Sequence, residues 1–344
     1  MKITLKEIAE IAGVHRSTVD KVIHGRIGVS DEVRQKIQKI LDELQYKPNM
    51  IGRALQKQSV TFKFAAVLLQ VDALEDIRAG IAKAVNHYSN FKIEMSYHVV
   101  SFIDAQSQAD IIERLTQDDI QGMVISPIHS KVVRDAIDRA CERGVMVITT
   151  NFDIEDSKRA CFVGQNGHKA GRIAGRLMGE FICDQGDVAI VSSRKQDELS
   201  LSLSNREQSF IDMVNSTYPG ITLLEPIVCY DNPEIVLREV LNILKNNNSL
   251  KGIYVTGGSV KEVGKAVKQA GIGGELKIIC FERYPEIIEL MQEGVVTCTL
   301  ANDLHNQGFL PVKMLVDSLV YGISPAQRHV FTNVDVMVKE SVED

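Results

Sequence analysis

Residues 5–55 read LKEIAEIAGVHRSTVDKVIHGRIGVSDEVRQKIQKILDELQYKPNMIGRAL. Thr4, Leu5, Lys6 and Glu7 form a capping-box pattern, a hydroxyl N-cap with Glu three residues on. Leu5, Ile8, Ala9 and Ala12 then follow helical spacing, and Gly13 ends the helix. A second helix is expected from Arg16 to His24, with Val19, Val22 and Ile23 inward and Gly25 past its end. Ser30 is the expected N-cap of a third, whose inner face carries Val33, Ile37, Ile40, Leu41 and Leu44. Helix, short glycine-containing turn, helix is the helix-turn-helix arrangement.

Such a pair offers the N-terminal residues of its second helix to base edges in the major groove. Arg16 can take a guanine in bidentate fashion, Ser17 is permissive, and Asp20 can accept from a cytosine amine. Lys21 can reach a base or a phosphate, and Thr18 is placed for a phosphate. A small three-helix bundle that binds protein remains the rival class. Tyr46–Asn49 reads as a turn and Met50–Gln56 as one short helix, too short to be stable alone. Such a segment folds when DNA or a second copy holds it.

Charge follows the same division. Residues 1–60 hold 11 Lys/Arg against 7 Asp/Glu, a net of +4; the whole chain is −6, so the rest carries −10. A basic head on an acidic body places an anion partner at one end. With aromatics at 6% and no tryptophan, a stacking platform for single strands is not expected.

The 5–55 stretch resembles the DNA-binding head and hinge of the lactose-repressor (LacI/GalR) family. The matched features are the Leu5–Gly13 block, Val14, Thr18-Val19, Val29-Ser30, and Tyr46-x-Pro48-Asn49 followed by Leu55. The resemblance implies double-stranded operator DNA as partner and a regulator, usually a repressor. Thr4, Arg16, Ser17, Thr18, Asp20, Lys21, His24, Asn49, Arg53 and Leu55 are the expected DNA-contacting residues. Leu55 matches the leucine that wedges into the minor groove, where apolar side chains unstack a base step and bend the duplex. His15 stands where Ser is usual before the second helix, and Asp20-Lys21 where Ser-Arg is usual. Gly52 replaces a hinge Ala, at a cost on the order of 1 kcal/mol of helix propensity.

From Phe62 apolar strands alternate with amphipathic helices. Expected strands are Phe64–Leu69, Ile93–Val100, Gly122–Ser126, Val145–Thr150, Val188–Ser192, Gly252–Thr256 and Lys277–Phe281. Helices between them include Glu75–Tyr88, Ala105–Thr116 and Val132–Arg143. Short strands buried on both faces and joined by helices imply parallel sheets. Their number exceeds one comfortable sheet, so the fold class is α/β with two doubly wound subdomains around a ligand cleft. The domains are 1–47 for the head, 48–61 for hinge helix and linker, and 62–344 for two interleaved α/β subdomains.

This body resembles the periplasmic-binding-protein-like sugar-binding domain, ribose-binding branch, through GMVISPIHS, VMVITTNFD, CFVGQNGHKAGRIAG, NREQSF, KIICFE and VVTCTLANDLHNQG. The resemblance implies a small polar effector, a sugar or derivative, held at strand ends. Residue by residue it points to His129, Asn151, Phe152, Asn166, Arg206, Tyr230, Glu282, Asn302 and Asp303. Glu282 stands where Asp is usual. The paired aromatics expected after the first strand are missing from LLQVDALED, and Gly257-Gly258 replaces an Asn-Asp, opening room for a larger ligand or backbone contacts. An effector that is not a sugar is the alternative.

HExxH, GxSxG, GxxxxGK[ST] and GxGxxG are all missing, so no enzyme, cofactor or metal is expected. Six cysteines without a CxxC, mostly in apolar runs, read as reduced core thiols. The start lacks a signal-peptide stretch and no run approaches ~18 apolar residues, so a cytoplasmic protein without membrane contact is expected. The end lacks a leucine-repeat helix, which in this family implies a homodimer. If Leu55 is a wedge, Leu55→Ala weakens operator binding far more than binding to random duplex; equal losses in a fluorescence-anisotropy titration contradict it.

Overall fold

The computed structural model describes residues 5–23, 28–44, 57, 59–192, 201–229, 232–272 and 274–342, with only the backbone at 201 and 202. The expected turn at 46–49, the hinge helix at 50–56, and Thr4, His24, Asn49, Arg53, Leu55 and Tyr230 lie outside the described residues. The chain divides into two compact units, residues 1–60 with 316–324, and 61–315 with 325–344.

In the first unit, α1 (Leu5–Ala12), α2 (Arg16–Ile23) and α3 (Asp31–Glu43) bury Ile8, Ala12, Val19, Val22, Ile37 and Leu41 against one another. Gly13, at φ +66°, closes α1 with Val14 N–H donating to Ala9 O and Gly13 N–H to Glu10 O. These are the paired bonds of a Schellman end, and Val14 packs on the same core. Ser30 does precede α3 with extended backbone, but its hydroxyl makes no capping bond. Asp31 and Glu32 in the first turn offer the helix dipole negative charge instead.

In the second unit the chain runs β1 (Thr61–Leu69), α4 (Leu74–His87), β2 (Lys92–Val100), α5 (Ala105–Gln117), β3 (Gly122–Ile125), α6 (Lys131–Glu142), β4 (Met146–Thr150), β5 (Cys161–Gly164) and α7 (Gly167–Phe181). It continues through β6 (Gly186–Ser192), α8 (Leu201–Thr217), β7 (Ile221–Leu223), β8 (Ile227–Val228), α9 (Pro233–Asn246), β9 (Leu250–Val255), α10 (Val260–Ala270), β10 (Lys277–Phe281), α11 (Pro285–Gln292) and β11 (Cys298–Asn302). Then come α12 (Leu304–Val316), a π-helical turn at Asp317–Tyr321, β12 (His329–Phe331), β13 (Val334–Met337) and a 3-10 turn at Lys339–Ser341.

One sheet has the order β12-β5-β4-β3-β1-β2, the other β13-β11-β10-β9-β6-β7 with β8 beside β6. Every pairing is parallel except β11 with β13. β1 is an interior strand and Phe64–Leu69 is buried, whereas β2 is an edge strand with alternating exposure. The chain leaves the first sheet after β5, builds the second, returns to add β12, and finishes in the second with β13.

The expected strands are all present with ends within three residues. Six more, β5, β7, β8, β11, β12 and β13, are strands of five residues or fewer that apolar runs alone do not announce.

Close helix contacts set the positions of functional residues. A Cβ at Gly171 on α7 would lie 2.2 Å from the carbonyl oxygen of Arg206 on α8. Glycine is thus what lets the Arg206 backbone approach. Gly171→Ala should push the helices apart and cost about 1–3 kcal/mol in urea denaturation; an unchanged midpoint contradicts this.

Candidate functional site

In the head, Arg16, Ser17 and Lys21 are exposed while Thr18 and Asp20 are half-buried. This places the expected readers on the outer side of α2, with Val19 and Val22 inside. The departure at His15 has a local solution. Its Nδ1 accepts from the Ser17 N–H at 3.3 Å and meets the Ser17 hydroxyl at 2.8 Å. An imidazole nitrogen thereby performs the N-capping that serine's oxygen performs elsewhere.

In the second unit, the carboxyl ends of strands from both sheets converge on a cavity of about 230 Å³. Open parallel sheets place ligands at such ends. β1 contributes Val71–Ala73, β4 is followed by Asn151 and Phe152, and β5 by Gln165. β9 leads to Gly257 and Gly258, β10 to Glu282, and β11 ends at Asn302. Asn151 and Glu282 both hold positive φ, +64° and +76°. For residues with a Cβ that conformation costs on the order of 1–3 kcal/mol and recurs at ligand sites.

Arg206 is the centre. Its Nε donates to Gln165 Oε1 at 2.8 Å, its Nη1 to Thr256 O at 3.4 Å, and its Nη2 lies 3.7 Å from Glu282 Oε1. The guanidinium carbon sits 3.9 Å above the Phe281 ring centre, a cation–π contact. Burial draws the Arg206 pKa down while Glu282 opposes it; a guanidinium starts so far above neutrality that it stays protonated.

Burial pushes the Glu282 carboxyl above the usual glutamate range, against Arg206 and the hydrogen bond from Asn302 Nδ2 to Oε1 at 2.6 Å. Among the described residues, three buried polar atoms at this site have no hydrogen-bond partner: Gln165 Nε2, Glu282 Oε2 and Asn302 Oδ1. Buried polar atoms left unpaired are costly, so a set of them in one cavity marks a place for a ligand's own polar groups.

The apolar wall missing after β1 is supplied elsewhere. Phe102, beyond β2, and Phe152 stand 5.8 Å apart between ring centres and both line the cavity.

Of the expected effector residues the structure brings together Asn151, Phe152, Arg206, Glu282 and Asn302. It does not bring in three others. Asn166 caps α7, accepting from Lys169 N–H at 3.0 Å. Asp303 accepts from Asn306 N–H at 3.1 Å in the first turn of α12. His129 is exposed outside the cavity lining. Sequence reasoning missed Gln165 and Phe102; the signal for Gln165 was a polar residue directly after the apolar run of β5.

A body of two parallel sheets with a polar cleft at their strand ends is a ligand-binding body of the periplasmic-binding-protein type, and the three-helix unit is a helix-turn-helix head. The chain belongs to the periplasmic binding protein domain family, whose model matches residues 70–322. The model of the bacterial regulatory proteins of the lacI family matches residues 4–49. The chain is 28% identical over 132 residues to the NTD biosynthesis operon regulator NtdR of Bacillus subtilis, covering 37% of this chain and 38% of that protein. It is 26% identical over 157 residues to catabolite control protein A of Streptococcus mutans, covering 44% of this chain and 45% of that one. The chain thus spans less than half the length of these curated relatives. Among solved structures, a sugar-binding protein of a sugar ABC transporter from Bacillus halodurans has a TM-score of 0.74 at 23% identity, covering 82% of this chain and 99% of that one. No helix among the described residues is long and apolar enough to cross a membrane.

Removing Arg206 leaves Glu282 buried without its cation. Arg206→Met should cost about 3–5 kcal/mol near neutral pH, and adding Glu282→Gln should restore much of it. The sign with pH follows from the raised pKa: the folded state holds this proton more tightly than the unfolded chain, so Glu282's contribution falls as pH rises from its ordinary value of 4.5 through its folded one. The Arg206→Met loss therefore shrinks as pH falls. Chemical denaturation across pH checks it; a pH-independent, additive loss contradicts it.

Proposed function

We propose that this protein is a DNA-binding transcriptional repressor whose operator affinity is set by a small sugar or sugar derivative held in the cleft. The observation that carries the reading is the coexistence in one chain of an outward-facing α2, bearing Arg16, Ser17 and Lys21, and a cavity with three unpartnered buried polar atoms. A catalyst has no need of the first, and a transport protein has no need of it either. The names of the relatives, an operon regulator among them, and the sugar-binding protein that shares the body's fold support the same reading.

In this reading two copies pair and read a pseudo-palindromic site, one head per half-site. Arg16 and Asp20 address base edges, Thr18 and Lys21 the backbone, and Leu55 the central minor groove. The ligand acts by binding one arrangement of the cleft better than another, which alone can shift an equilibrium. The protein works in the cytoplasm and carries out no turnover.

Selection from a random duplex library, followed by anisotropy titration, tests it. The expected result is an enriched pseudo-palindrome bound with steep salt dependence, roughly a 10³-fold loss or more from 50 to 200 mM salt. No enriched sequence and a shallow salt response would make the head a protein-interaction module instead.

A further inference from the structure

The cleft's cation is already engaged. Arg206 spends Nε on Gln165 and Nη1 on Thr256, turns Nη2 to Glu282, and lies flat on Phe281. With its side chain 7% exposed it is a brace, not an open receptor for an anion. What remains open is rich in acceptors. Glu282 Oε2 and Asn302 Oδ1 are buried and unpartnered, and they belong to side chains locked together by the Asn302 Nδ2 to Glu282 Oε1 bond. Against these two acceptors the described residues of the lining offer one unpartnered buried donor, Gln165 Nε2.

Charge points the same way. Among the described residues, Asp72, Glu282 and Glu286 line the cavity against Arg206 and Lys261, three carboxylates to two cations. Asp76, in the first turn of α4, adds its negative field at both Glu282 and Tyr284. A sugar acid or sugar phosphate would bring more acceptors and more negative charge to a site that is short of neither, and burying like charges together is strongly unfavourable. A hydroxyl donates one proton; an ammonium donates three and accepts none. Phe102 and Phe152 supply the flat apolar wall that a ring needs.

Building on the proposed sugar-type effector, we infer that the ligand is a hydroxylated ring bearing a protonated amine, an amino sugar or aminocyclitol, whose ammonium docks on Glu282 and Asn302. Gln165 then donates to a ring hydroxyl. The cavity, smaller than the roughly 300–1,000 Å³ of drug-sized pockets, suits a single ring.

The test is a matched series on the full chain: D-glucose, D-glucosamine and D-glucuronate, with the galacto and manno counterparts. Saturation-transfer NMR detects weak binding, and calorimetry ranks it. The expected result is that in at least one series the amine binds about tenfold or more tightly than its parent and the acid binds weakest. Glu282→Gln should then reduce amine affinity more than parent-sugar affinity, and a pH above the amine's pKa should erase the preference. A parent sugar or acid that binds as tightly as its amine overturns the ammonium assignment and leaves the sugar reading standing. Silence across all nine compounds removes the sugar reading and this inference with it.

Discussion

A guanidinium taken out of water must find a carboxylate, carbonyls or an aromatic face, and the ligand-binding body is arranged around that requirement. Arg206 reaches all three kinds of partner at once. Glu282 follows β10, Thr256 follows β9, Gln165 follows β5, and Phe281 at the end of β10 forms the floor. Because β5 lies in one sheet and β9 and β10 in the other, a single side chain ties the strand ends of both subdomains. The glycine at 171 makes this possible by letting α8 approach α7. The positive φ at Glu282 aims its carboxylate at the same point. A ligand that touches Glu282 therefore touches the group on which the two sheets agree.

The head obeys a different constraint. With so small a core it depends on well-made helix ends. Gly13 and Val14 finish α1 with two backbone bonds, and the His15 ring begins α2 one residue later. Between them these contacts fix the turn and leave Arg16 and Ser17 exposed at the start of α2.

Much of this was legible in the residues. The run from Phe64 to Leu69 reads as a buried strand, and the spacing of Ile8, Ala12, Val19 and Val22 as two short packed helices, and both are present. Arg206, Glu282, Asn302, Asn151 and Phe152, named through the segments that contain them, line one cavity. Asn166 and Asp303 stand outside the cavity lining for a physical reason. A short polar side chain between a strand and a helix serves equally as ligand contact or as cap, and the choice depends on whether the next turn's N–H claims its oxygen. Phe102 was missed because the aromatic wall was sought after β1, whereas the cavity draws it from beyond β2. Short strands such as β8, two residues long, exist only because a neighbour pairs with them.

The central claim is that cleft and head are coupled, so that one ligand's free energy is expressed at the other's site. Linkage makes this measurable without knowing the path. The direct measurement is ligand affinity by calorimetry with and without saturating operator, set beside operator affinity with and without saturating ligand. The account predicts that the two ratios are equal and differ from one by several-fold or more. A ligand that fills the cleft and leaves operator affinity unchanged would contradict it.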